Sequence, residues 1–160
     1  MSLEQAQRWS FDVGRARIGA ARSPRGTSVV LPVNTFCVDT AQTYWDDIED
    51  ALEEYPADII YVGLPLHLNG KSGASVQMVR EFATELASLY PLAEIRLVDE
   101  RLSSVSAHQR LAEAGVSGKN RKSIIDQAAA VVILETAIAF EQENSGFAGK
   151  LFSRAKRERK

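Results

Sequence analysis

The chain has 160 residues, 45% hydrophobic and 25% charged, which suits one packed domain and excludes wholesale disorder. Its 19 Lys/Arg against 21 Asp/Glu give a formal net charge of -2, which excludes a uniformly basic nucleic-acid coat but leaves room for a local cationic patch. The lone Cys37 excludes an intrachain disulfide or a thiolate cluster and points to a reducing, cytoplasmic setting. The first residues lack a secretory pattern, and no apolar run reaches the roughly 18 residues that span a bilayer, so no membrane association is expected.

Trp9, Phe11 and Val13 alternate with Ser10 and Asp12, a strand pattern, and Gly14 permits a turn. Residues 17–22 read as the second strand of a hairpin, Ser23-Pro24-Arg25-Gly26 as another turn, and residues 27–31 as a third strand. The period then changes. Asp39 or Thr40 can cap a helix with Trp45, Ile48, Ala51, Leu52 and Tyr55 on one stripe, and Pro56 stops it. The segment from Asp39 to Asp58 contains eight acids and no Lys or Arg, so Tyr44 and Trp45 are poorly placed to stack on nucleic acid.

Ile59-Ile60-Tyr61-Val62 reads as an interior strand. A polar loop, His67 to Gly73, leads to a helix bearing Val76, Val79, Phe82, Ala83, Leu86 and Leu89. This loop lacks the spacing of a phosphate-binding P-loop. Ile95 to Val98 is the fifth expected strand, and residues 103–114 form a helix closed by Gly115. Gly118-Lys119-Asn120-Arg121-Lys122 reads as a basic loop before a last helix from about Ser123 to Glu143. The expected domain spans residues 1–144. Residues 145–160, with six basic side chains and one acid, read as a disordered cationic tail. Antiparallel strands followed by alternating helices and strands predict an α/β fold with a five-stranded mixed sheet and helices on both faces.

Three acids stand out. Asp12 lies within an apolar strand, where either an arginine partner (Arg15 or Arg17) or a bound cation would offset its burial. Glu100 ends a strand and would ordinarily be solvated or cap a helix. Asp126 opens the apolar helix Ile124-Ile125-Asp126-Gln127-Ala128-Ala129-Ala130, where the helix dipole gives partial compensation. Together they suit hard Mg²⁺ or Mn²⁺, which prefer oxygen ligands and serve phosphodiester hydrolysis in pairs about 3.5–4 Å apart.

Four segments carry a resemblance. They are Phe11-Asp12-Val13-Gly14-Arg15-Ala16-Arg17-Ile18-Gly19-Ala20-Ala21, Val62-Gly63-Leu64-Pro65-Leu66-His67-Leu68-Asn69-Gly70, Asp99-Glu100-Arg101-Leu102-Ser103-Ser104 and Ile125-Asp126-Gln127-Ala128-Ala129-Ala130. In this order the chain resembles the YqgF/RuvX family of Holliday junction resolvases, also described as pre-16S rRNA processing nucleases, over about residues 8–142. The resemblance implies an RNase H-like fold with Asp12, Glu100 and Asp126 as the catalytic, metal-binding acids and Mg²⁺ or Mn²⁺ as cofactor. Gln127 stands where the family often has Ser, and Ser104 keeps a hydroxyl where Thr is more usual.

Arg101 is the expected contact to the scissile phosphate, because guanidinium engages two oxygens at once. An ion pair with Asp99 or Glu100 is the alternative for it. Arg15, Arg17, Asn69, Lys71, Ser104, Lys119, Arg121 and Lys122 are the further expected nucleic-acid contacts. The resemblance favours maturation of the 5′ side of pre-16S rRNA by a monomer or homodimer. Resolution of a DNA junction is one alternative, and a noncatalytic ribosome- or nucleic-acid-binding factor is another.

Overall fold

The computed structural model describes residues 5–65, 73–99 and 118–155, with side chains from residue 127 onward in the last segment. Strand β1 (Arg8–Val13) pairs antiparallel with β2 (Arg17–Ser23), and β2 pairs antiparallel with β3 (Leu31–Cys37). Helix α1 (Tyr44–Glu54) leads to β4 (Ile59–Leu64), which lies parallel to β1. Helix α2 (Gly73–Leu89) precedes β5 (Glu94–Asp99), parallel to β4. Helix α3 (Gly118–Asn144) and β6 (Lys150–Ser153) complete the described elements. The strand order is β3-β2-β1-β4-β5-β6.

Period-two alternation sorts β1 between two cores. Trp9, Phe11 and Val13 enter a cluster with Ile48 and Leu52 of α1 and Val79, Phe82 and Leu86 of α2. Arg8 and Ser10 face α3 instead, as their hydrogen bonds to Glu141 and Ala130 require. The α3 face of β4 and β5, with Ile59, Tyr61 and Val98, packs on Ala130, Ile133, Leu134, Ala137 and Ile138. Buried on both faces, Ile59 to Val62 form the interior strand that their unbroken apolar run predicts.

Four expectations change. The sheet has six strands rather than five, because residues 150–153, within the stretch read as a disordered tail, pair antiparallel with β5. Gly149, at φ 70°, brings the chain so close to Leu97 that an added Cβ would lie 2.2 Å from its carbonyl oxygen. The Arg96 guanidinium then donates to the carbonyls of Ala148 and Gly149, at 2.6 and 3.1 Å. Residues 118–122, read as a basic loop, form the first turns of α3. Lys and Arg are good helix formers, and no proline interrupts them. The third strand is Leu31–Cys37 rather than residues 27–31, because Thr27 closes the preceding turn, its amide and hydroxyl both donating to the Pro24 carbonyl. Helix α1 likewise starts at Tyr44, after a turn in which the Asp39 carboxylate accepts from the Thr43 amide. The helix expected over residues 103–114 lies outside the described residues.

Candidate active site

The site is built from the carboxyl end of β1. Asp12 is half-buried and pairs in register with Gly19 of β2. On the other side, Phe11 pairs with Val62 of β4, so the position beside Asp12 on that strand is Gly63. Both lateral neighbours of Asp12 in the sheet are therefore glycines. The turn beyond is tight: the Gly14 amide donates to the Arg17 carbonyl at 2.9 Å. It holds Arg15 exposed at its tip and Arg17 half-buried at the start of β2.

Helix α3 crosses this face antiparallel to β1. At the lower end, Arg8 donates through Nε and Nη2 to Glu141 Oε1 at 2.9 and 2.6 Å. The Tyr61 hydroxyl donates to Glu141 Oε2 at 2.7 Å. Burial, then the hydrogen bond and charge of Glu141, raise the Tyr61 hydroxyl above its ordinary pKa. One step up the strand, the Ser10 hydroxyl donates to the Ala130 carbonyl at 2.6 Å. From this bond Asp12 lies two strand residues on, about 6.6 Å, and Asp126 lies one helical turn back, about 6 Å, in the same direction. Positions 126, 130, 134, 137 and 141 follow one helical stripe, with position 126 one turn nearer the helix start than Ala130.

Glu100 directly follows Asp99, the last residue of β5, and β4 stands between β5 and β1. Glu100, Arg101, Ser104, Asn69 and Lys71 lie outside the described residues. Lys119, Arg121 and Lys122 belong to the first turns of α3, within about two turns of Asp126. Among the described residues no group of three or more His, Cys, Asp or Glu side chains is assembled for a metal ion, and two of the three expected ligands are not described there. The described carboxylate of the expected set, that of Asp12, is an oxygen donor of the kind a hard cation takes, and the single cysteine, Cys37, is exposed on β3.

A cavity of about 280 Å³ opens beside the same turn, lined by Val13, Trp45, Phe82 and Glu85 among others. It lies across the sheet from Ser10 and α3, on the α1/α2 face. Trp45 stacks on Phe82 there, centroids 5.0 Å apart, and Trp9 and Phe11 are core residues as expected. The sequence reading passed over Arg8, Ser10, Tyr61 and Glu141. Their signal was present: polar residues at alternate positions of β1, and an acid at the far end of the stripe that begins at Asp126.

A mixed sheet opening with an antiparallel meander, covered by helices on both faces and carrying an acid at the end of its first strand, defines an RNase H-like α/β protein. The structure of Thermus thermophilus RuvC in complex with a Holliday junction substrate has this fold, with a TM-score of 0.57 at 12% identity over 92% of this chain and 99% of that one. The profile of the RuvX family, described as Holliday junction resolvase, matches residues 6–139, and the chain belongs to that family. A Streptomyces avermitilis protein named as a candidate pre-16S rRNA nuclease is 37% identical over 142 residues, 89% of this chain and 91% of the relative. A Clavibacter sepedonicus protein of the same name is 40% identical over 155 residues, 95% and 94% of the two chains. The family is one of nucleic-acid-cleaving hydrolases. Among the described residues no helix is long and apolar enough to cross a membrane.

Proposed function

We propose that this chain is a divalent-metal-dependent nuclease that hydrolyses phosphodiesters in structured RNA, with the 5′ side of pre-16S rRNA as its substrate. The observation that carries the reading is the antiparallel run of α3 along β1, which supports a common carboxylate site at Asp12 and Asp126. Asp12, Asp126 and Glu100 are the residues that would hold Mg²⁺ or Mn²⁺. Bound there, the ions supply Lewis-acid activation of water and stabilisation of charge on the leaving oxygen. Arg101 engages the scissile phosphate and neutralises charge as it develops. Arg15 and Arg17 at the hairpin, Asn69 and Lys71, Ser104, and Lys119, Arg121 and Lys122 at the start of α3 bind the flanking phosphates. Of these, the exposure of Arg15 and the nearness of the α3 start to Asp126 favour the hairpin and helix contacts.

The family's description as Holliday junction resolvase favours a second reading, cleavage of four-way DNA. Cleavage of precursor rRNA and of a DNA junction, at matched protein and salt with Mg²⁺ or Mn²⁺, separates the two. Asp12→Asn and Asp126→Asn are each expected to reduce turnover by several orders of magnitude while leaving the unfolding transition in place. Full turnover by either variant removes that acid from the site, and absence of cleavage by the wild-type chain on both substrates favours a binding factor.

A further inference from the structure

Hydrophobic contact is non-directional, so it fixes which face of α3 meets the sheet better than how far along the sheet the helix sits. The helix meets β1, β2 and β4 partly through small side chains, with Ala129, Ala130 and Ala137 all buried. Small residues allow close approach but interlock weakly, and a slip of one turn would carry Asp126 about 5.4 Å past Asp12. Polar bonds across the interface remove that freedom, because a slipped helix would leave buried groups unpaired. Buried ion pairs add little net stability over an apolar pair of the same shape, and setting register is their best-attested use.

We infer that Ser10, backed by the Arg8–Glu141–Tyr61 cluster, is a positioning residue that sets the register of α3 on β1 and so presents Asp126 to the ion held by Asp12. This inference rests on the carboxylate reading above. Ser10 is fully buried and its hydroxyl is committed to the Ala130 carbonyl at 2.6 Å, between the acid end and the ion pair. At the other end the cluster is buried and multiply bonded. Arg8 reaches Glu141 with Nε and Nη2 and the Ala6 carbonyl with Nη1, and the Tyr61 hydroxyl donates to Glu141 while accepting the Ala148 amide at 3.3 Å. The two contacts engage β1 at residues 8 and 10 and α3 at residues 141 and 130, so they resist both sliding and rotation.

The test is Mn²⁺ binding to the full-length chain, read by electron paramagnetic resonance, alongside cleavage kinetics. Ser10→Ala is expected to weaken Mn²⁺ binding about three- to tenfold, the effect of one lost buried hydrogen bond, and to raise the half-saturating Mg²⁺ equally. The nucleic-acid KM should stay unchanged, since Ser10 touches no substrate. Ile48→Val, which deletes a fully buried methyl group on the other face, serves as the stability control and should leave Mn²⁺ binding unaltered. Mn²⁺ affinity in Ser10→Ala equal to that of Ile48→Val overturns the inference. If Ser10→Ala does not fold, Tyr61→Phe carries the same expectation, and wild-type affinity in it overturns the inference likewise. Asp126→Asn separates the layers: if it leaves Mn²⁺ binding intact, the carboxylate reading fails. If Asp126→Asn abolishes binding while the positioning variants do not, only the register inference fails.

Discussion

Removing Glu141 isolates the energetics of the buried cluster. Glu141 is 3% exposed and Arg8 4%, so the pair is withdrawn from water. Glu141→Ala leaves a buried cation without its counter-charge and takes away the acceptor of the Tyr61 hydroxyl proton, a loss of about 3–5 kcal/mol. Against a total folding free energy of about 5–15 kcal/mol, that is a large fraction of what holds the domain together. The double variant Arg8→Met/Glu141→Leu leaves no charge behind and is expected to cost less than the Glu141 change alone. Urea unfolding followed by tryptophan fluorescence reads this directly, because Trp9 adjoins Arg8 in sequence and is 1% exposed. A Glu141→Ala cost below about 1 kcal/mol, the worth of an exposed ion pair, would refute the assignment of this cluster as buried and multiply bonded.

Gly14→Ala should destabilise the chain by about 1–3 kcal/mol and lower turnover, because a Cβ there meets the Arg17 carbonyl oxygen at 2.8 Å, the acceptor that closes the turn after Asp12; thermal midpoint and cleavage rate check both. Stability should fall as pH rises above about 10, since burial raises the Tyr61 hydroxyl and pushes Tyr90 up to about 12, so the folded state keeps protons that the unfolded chain releases. Tyr61→Phe should flatten that decline in urea midpoints, and an unchanged slope contradicts it. Deleting residues 156–160 removes four basic side chains and one acid beyond β6, and is expected to reduce salt-sensitive affinity while leaving the unfolding transition unchanged. Deletion from residue 149 instead strips the strand from β5 and should lower the thermal midpoint.

Much of the architecture was legible locally. Alternation in Trp9, Phe11 and Val13 identified β1 and its buried face, the unbroken run from Ile59 to Val62 identified the interior strand, and the stripe through Val79, Phe82 and Leu86 identified α2. Where local signals misled, a neighbouring contact supplied the reason. Thr27 looked like strand and serves the turn at Pro24, and residues 118–122 looked like loop because their charge was read in place of their helix propensity. The tail misled most. A four-residue strand gives almost no periodicity, and its place depends on Gly149 reaching the Leu97 carbonyl and on Arg96 holding the chain there.

What the sequence by itself determined is most of the described elements, the family motifs and three acids in need of an explanation, since each of these follows from spacing within a few turns or strand steps. Tertiary packing decided which of those groups meet: Ser10 finds Ala130 across 120 residues of chain, and Arg8 finds Glu141 across 133. Periodicity tells a residue which way to face, but only the docking of a helix on a sheet chooses its partner and the height at which they meet.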